Sequence, residues 1–493
     1  MCIRDSITGD GLQKTKSIQI NAILNIIKQC CVIVFPLITF PYVSRVLGSA
    51  NLGRYSFSDS IIQYFISFAS LGIPTYAVRE AARVRSNKKE LTQLATELFS
   101  INVVMMIVSY IILFVVVFFV PRVNRESVLM IILSFNILFN TLGRDWINTV
   151  FEDFFYLTLR YIILQTISLI LILCLVKRPE HYILYTIIMA LAYSGNYLLN
   201  IFYTRRYIPY RFTTKLNLKK HLKPILYLFC ITISTTIYVK SDITILGFFR
   251  SDSEVGIYTL SSNIYTVIKS LLNAVIIVVI PRLSVYLGEN KSDEYEGLLN
   301  SLKKVLYTLI IPAIVGIFLL SKDVMLFMGG DAYVSGYVSL RILCFSLFFA
   351  VFGCYYSQGV LVSLRKEKYY FIATLTSAVA NVILNLILVP FFGLNATAAT
   401  TVIAEAMVML ICRHYSLSSL QHKEKVDLIT IGLGCIGIIV ACYLCNRLIT
   451  GLILRIIISI VVSVIAYFAI LILLGNEVAK EFVVSAKKRI LKR

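Results

Sequence analysis

FPLITFPYVSRVLGSANLGRYSFSDSIIQYFISFASLGIPTYAVREAAR, Phe35 to Arg83, joins two long apolar segments through a short Gly-punctuated link. A weaker copy follows later in the chain. Leu47-Gly48 reads against Leu246-Gly247, and Gly53-Arg54-Tyr55-Ser56 against Gly256-Ile257-Tyr258-Thr259, at offsets of 199 and 203 residues. At the larger offset Ser56, Ser60, Gln63, Ser67 and Ser70 fall on Thr259, Asn263, Thr266, Ser270 and Asn273, a polar stripe spaced by three and four along one helical face. The match reads as an internal duplication whose two copies face a shared polar interior.

Working outward, the whole chain has the character of that stretch. Its 493 residues are 58% hydrophobic and 15% charged, with a mean hydropathy of +0.82, far from the composition of soluble domains. The net charge of +21 is distributed between apolar runs and not gathered in one patch, which argues for membrane topology over nucleic-acid binding. The first apolar run, Ile20 to Leu47, is long enough to span a bilayer and lacks a small-residue cleavage site, so it reads as a retained helix. Most cysteines sit inside apolar runs. Cys442 and Cys445 form a CxxC without His or a second pair, and read as buried small apolar residues.

Apolar runs broken by short charged, Pro or Gly loops predict an all-α integral membrane protein of about 14 transmembrane helices. With the amino end inside, 33 of the 47 Lys and Arg fall in inner segments, 11 in outer loops and three within spans. This bias predicts a multi-pass protein with both termini cytoplasmic. The expected organisation is a cytoplasmic tail over 1–19, a six-helix lobe over 20–204, a basic cytoplasmic loop over 205–222, a second six-helix lobe over 223–415, two extra helices over 427–474 and a basic cytoplasmic tail over 475–493. Six spans per copy is even, so the lobes should form a parallel repeat about an axis along the membrane normal.

An ionisable side chain at the centre of a span costs about 2.5–3.5 kcal/mol on insertion scales, so each needs a reason. Lys28, Lys240 and Lys269 qualify. If they converge, they line a cationic cavity suited to an anionic group such as a pyrophosphate. The competing readings are that Lys28 snorkels to the surface and that Lys240 pairs with Asp242, although two positions apart on a helix those side chains diverge. Asp59, Asp242 and Glu405 are candidates to couple transport to H+ or Na+; equally, each neutralises a lysine or accepts a structural hydrogen bond. Pro36 and Pro41 interrupt the first helix and are hinge candidates. Trp146 reads as an interfacial anchor. No cofactor is called for, and four histidines in or near loops make no metal site.

The motifs resemble those of a known family. PLITFPYVSRVLGSANLGRYSFSDSIIQYFISFASLGIPTYAVREAAR (36–83), DWINTVFEDFFYLTLR (145–160), SDITILGFFRSDSEVGIYTLSSNI (241–264) and NVILNLILVPFFGLNATAATTVIAE (381–405) are similar, in order and spacing, to bacterial polysaccharide-biosynthesis membrane proteins. These are the O-antigen type flippases of the multidrug/oligosaccharidyl-lipid/polysaccharide exporter superfamily, which includes the MATE-like proteins. The resemblance implies 14 helices in two lobes and transport of undecaprenyl-pyrophosphate-linked oligosaccharide across the bacterial cytoplasmic (inner) membrane for O-antigen and lipopolysaccharide, capsule or exopolysaccharide synthesis. It implies a glycan polymerase and a chain-length regulator as partners, and no nucleic acid. Asp242 stands where the family commonly has Asp before the Leu-Gly of helix 7. Thr149-Val150 departs from the Gln-Gly-like pair the family often has there.

Two rivals are weighed against the flippase. A multidrug or cation antiporter of the same superfamily should favour an acidic cavity, against which the three lysines argue. A membrane glycan polymerase should carry a large extramembrane loop or a concentrated His/Asp/Arg site, and neither is visible.

Overall fold

The computed structural model describes residues 18–209, 211–214, 218–417 and 426–481. Residues 1–17 of the expected amino-terminal tail, parts of the basic loop and residues 482–493 lie outside the described residues. The main elements are α1 (Ile18–Ser70), α2 (Ile73–Arg83), α3 (Lys88–Phe119), α4 (Pro121–Asn124), α5 (Ser127–Gly143), α6 (Asp145–Val150), α7 (Phe154–Leu175), α8 (Tyr182–Thr204), α9 (Leu218–Phe249), α10 (Asp252–Gly288), α11 (Ser292–Gly329), α12 (Tyr337–Cys354), α13 (Glu367–Leu417), α14 (Leu428–Leu448) and α15 (Leu452–Leu473). No strand occurs among the described residues. In hydrocarbon a backbone must satisfy its own polar groups, and a continuous helix does so within one segment.

Among the described residues twelve stretches are long and apolar enough to cross a membrane, and the two longest helices among them, α1 and α13, each hold two spans. That gives the fourteen expected, in a multi-pass membrane protein. In α1 the break is at Gly48, with φ 75 and ψ 169, while the helix runs through Pro36 and Pro41. Before Gly48 the chain runs parallel to α7: Thr158 donates to the Leu24 carbonyl at 3.1 Å and Tyr42 to that of Val176 at 2.8 Å. After Gly48 it runs antiparallel to α3, where Ser109 donates to the Phe65 carbonyl and Asn102 to that of Ala69. In α13 the reversal at Gly393 brings Thr400 Oγ1 to 2.6 Å from Asn385 Oδ1, groups about 22 Å apart on a straight helix.

The two copies of the duplicated stretch meet each other at the end of the bundle opposite the α2–α3 and α8–α9 connections. A Cβ on Gly53 would lie 1.8 Å from the Asp252 carbonyl, and one on Gly256 would lie 1.9 Å from the Ser49 carbonyl. Asp252 is the counterpart of Ser49, so the contact is reciprocal, backbone on backbone, and only glycine permits it. The Ser49 and Ser253 hydroxyls hydrogen-bond at 2.6 Å. Arg122 donates to the Gly247 carbonyl at 2.7 Å and pairs with Asp252, as does Arg125 at 3.1 Å. The link is longer in the second copy. It leaves α9 at Phe249 and enters α10 through Ser251, whose hydroxyl caps the helix by accepting from the Glu254 amide at 3.3 Å.

Outside the duplication, α14 and α15 dock on α11. Arg455 pairs with Asp323 at 2.7 Å and Tyr467 donates to the Thr308 carbonyl at 2.8 Å. Between them runs an apolar groove lined by residues such as Leu433, Val440, Val462 and Ile470. Trp146 departs from the expected interfacial anchor. Arg144, in the left-handed conformation (φ 50), ends α5 and starts α6 in a new direction, and Trp146 is buried in a cluster with Tyr76, Leu94 and Val150.

Candidate functional site

The polar residues of the first copy are closed into a seam with α9. Lys240, projecting away from Asp242, pairs with Asp59 at 2.9 Å, and Gln63 donates to the same carboxylate at 3.2 Å. Thr244 donates to Ser60 at 2.9 Å and also meets Tyr64, and Ser67 meets Thr236 at 2.8 Å. Toward the basic loop the seam continues with Tyr76 and His221 at 2.9 Å, whose other ring nitrogen meets Glu97 at 2.7 Å. Ser56 is buried and donates to the Leu52 carbonyl, and Ser70 reaches Asn140 at 3.0 Å.

The second copy is used differently. Thr259 is buried against its own helix, but Asn263, Ser270 and Asn273 are half-buried and Thr266 is exposed. Among the described residues no hydrogen bond reaches Asn263 or Ser270, and the Asn273 side-chain oxygen has no partner. Lys269 lies in the middle of this face. It pairs with Glu405 of α13, which also accepts from Tyr265 at 3.3 Å, and its ammonium sits 5.6 Å from the centre of the Tyr265 ring.

Asp242 is buried, and among the described residues its donors are all neutral: Tyr258 OH at 2.8 Å, Thr401 Oγ1 at 2.6 Å and Asn385 Nδ2 at 2.8 Å. Asn381 extends the network through Asn385 and Ser241. Three donors satisfy the carboxylate without cancelling its charge.

Lys28 stands apart from the other two lysines. It forms no ion pair among the described residues and lies within electrostatic reach of Asp145 and Arg160. The expected convergence of three lysines is therefore not what the geometry gives. Lys240 and Lys269 occupy separate ion pairs, and Lys28 belongs to a third cluster inside the first lobe. The partners Asp145, Arg160, Asn381, Asn385 and Thr401 are absent from the sequence reading. Asn381 and Asn385, one helical turn apart in an apolar run, were the available signal.

The described residues hold no group of three His, Cys, Asp or Glu that could bind a metal, and the ten described cysteines are free. The family model described as polysaccharide biosynthesis protein matches residues 18–287, more than half of the chain and both copies of the duplication. The chain belongs to that family. This polysaccharide biosynthesis protein is 25% identical over 260 residues to an Escherichia coli (strain K12) protein named as an O-antigen transporter. It is 27% identical over 187 residues to a Haloferax volcanii protein named as a low-salt glycan biosynthesis flippase, Agl15. The matches cover 52% and 38% of this chain, and span 62% and 39% of those relatives' own lengths. Among solved structures it is similar to the lipid II flippase MurJ in an inward closed conformation, with a TM-score of 0.74 at 16% identity over 92% of this chain and 98% of that one. A multidrug resistance MATE family transporter of the MOP superfamily gives 0.58 at 13% identity, over 81% and 94%. These likenesses carry the fold: helices in two lobes, with α14 and α15 outside the repeat.

Proposed function

We infer that the protein is a flippase. It moves undecaprenyl-pyrophosphate-linked oligosaccharide across the cytoplasmic membrane for O-antigen, capsule or exopolysaccharide synthesis, with both termini cytoplasmic, and is not an enzyme. The observation that carries this reading is the α10 face. Asn263, Ser270 and Asn273 offer polar groups that no neighbouring helix uses among the described residues, and Thr266, bonded only to its own helix, is exposed beside them, around a lysine held by a single carboxylate. Sugar hydroxyls are the neutral partners such groups take, and a pyrophosphate is the anion that competes with Glu405 for Lys269. Family membership and the names of the two relatives support the same class.

Transport then proceeds by alternating access between the lobes, with the polyprenyl tail in lipid. The three lysines act at different stages, because Lys240 and Lys269 must exchange carboxylate for phosphate while Lys28 need not. Asp242 is the best of the three coupling candidates, since Asp59 and Glu405 already balance lysines and Asp242 keeps an uncompensated charge for H+ or Na+. Pro36 and Pro41 lie in the half of α1 that would move against α10. A glycan polymerase and a chain-length regulator would act on the exported product.

The test is genetic and biochemical. In a host lacking the gene, wild-type protein restores surface glycan and Lys269→Ala does not, at equal membrane abundance. Full display with Lys269→Ala sinks the assignment. Resistance conferred on a pump-deficient host would favour the multidrug antiporter.

A further inference from the structure

We propose that Lys28 and Arg160 form the site that captures the phosphoryl group of the lipid-linked substrate, with Asp145 and Asn196 positioning the Arg160 fork. The proposal rests on the flippase reading and relocates its anion recognition to the first lobe.

Charge balance leads there. Lys240 is matched by Asp59 and Lys269 by Glu405, so each pair is neutral. Lys28 lies one helical turn beyond Leu24, whose carbonyl accepts from Thr158 at 3.1 Å, two residues before Arg160. Among the described residues Asp145 is the one carboxylate within electrostatic reach of both cations, so the three formal charges leave one positive. A buried cation without a counter-charge is costly in a membrane interior, so an anion is the missing member.

Arg160 indicates where that anion would bind. It is 5% exposed. Its Nη2 donates to both Asp145 oxygens at 3.0 Å and its Nε donates to Asn196 Oδ1 at 3.3 Å, while Nη1 has no partner among the described residues. The Tyr156 ring lies 5.2 Å from the guanidinium carbon and completes the cradle. Asp145 and Asn196 thus fix the plane of the fork and leave one edge unused. A guanidinium edge beside an ammonium matches a tetrahedral oxyanion, which accepts from both at once. A neutral sugar would leave the excess charge unbalanced. Lys28 is half-buried and Asp145 is one-third exposed, so the cluster is reached at its edge; the proposal requires the buried Nη1 to be uncovered as the ligand enters.

The shared chemistry, a phosphoryl oxyanion, also occurs in phospholipid headgroups, and the experiment separates the two sources. Full-length protein in phosphatidylcholine nanodiscs is titrated with undecaprenyl pyrophosphate and, in parallel, with phosphatidylglycerol. Lys28→Gln and Arg160→Lys are each expected to weaken undecaprenyl pyrophosphate binding roughly tenfold or more. Lys291→Gln, whose exposed pair with Glu289 lies outside every site described above, should leave it unchanged. Asp145→Asn should reproduce the Arg160→Lys loss and Asp145→Glu recover part of it, a pattern that a purely structural carboxylate would not give. Arg160→Lys keeps the charge for folding, and Lys28→Gln tests the site by itself if that variant is unstable. Wild-type affinity in Lys28→Gln overturns the proposal, as does equal binding of phosphatidylglycerol with equal loss in the variants. If the wild-type protein binds neither lipid, the flippase reading fails with it; if it binds undecaprenyl pyrophosphate through Lys240 or Lys269 alone, only this inference fails.

Discussion

Gln63 and Thr266 occupy equivalent places in the two copies of one stretch, yet Gln63 is bonded to Asp59 while Thr266 is exposed. The contrast holds along the stripe. Ser60, Ser67 and Ser70 each have a partner on a neighbouring helix; Asn263 and Ser270 have none among the described residues. The cause is packing. The second half of α1 is held between α3 and α9, whereas beyond Ile268 the exposed Leu271, Ile277 and Val278 show α10 only partly covered. Duplication copies a pattern of polar residues, and the neighbours decide whether that pattern becomes a seam or an open surface.

The largest expected effect comes from preventing the copies from separating. In Ser49→Cys with Ser253→Cys, the two positions now 2.6 Å apart through their hydroxyls should cross-link under oxidation. Surface glycan display should then be abolished and return with reductant; export that persists with the cross-link complete breaks the two-lobe account. The next effect compares the ion pairs. Glu405→Gln leaves Lys269 without its charge partner and should cost about 3 kcal/mol, while Asp59→Asn, at a more exposed pair, should cost about 1 kcal/mol. Thermal unfolding in detergent measures both, and Lys269→Met with Glu405→Leu should regain most of the loss. The smallest effect is within the stripe. Ser67→Ala should lose about 1 kcal/mol with its Thr236 bond, and Ser270→Ala less than about 0.5 kcal/mol, while only Ser270→Ala should slow glycan export. Equal stability losses would mean the two faces do not differ.

Much of the fold was legible because membrane insertion leaves a strong one-dimensional signal. Fourteen apolar runs gave fourteen spans, and the Leu-Gly link gave the reversal at Gly48. The partners of the charged residues were not legible, since they come from helices far apart in sequence: Asp59 with Lys240, Lys269 with Glu405, Lys28 beside Arg160. Helical periodicity does say that Lys240 and Asp242 diverge, and they do. It cannot say which helix stands opposite. Trp146 was misread for a related reason. Its flanking Arg144 and Asp145 look like interfacial residues, but a left-handed turn at Arg144 carries the ring back into the protein.

The reciprocal contact of Gly53 and Gly256 has one more consequence, and it concerns rate. A contact made by backbone atoms has no rotamers to freeze when it forms and none to release when it parts. The cost of parting the copies therefore falls not on the glycine contact but on the side chains around it, the Ser49–Ser253 bond and the pairs of Arg122 and Arg125 with Asp252. Under the alternating access proposed above, those polar groups, and not the backbone contact, would set how fast this joint opens.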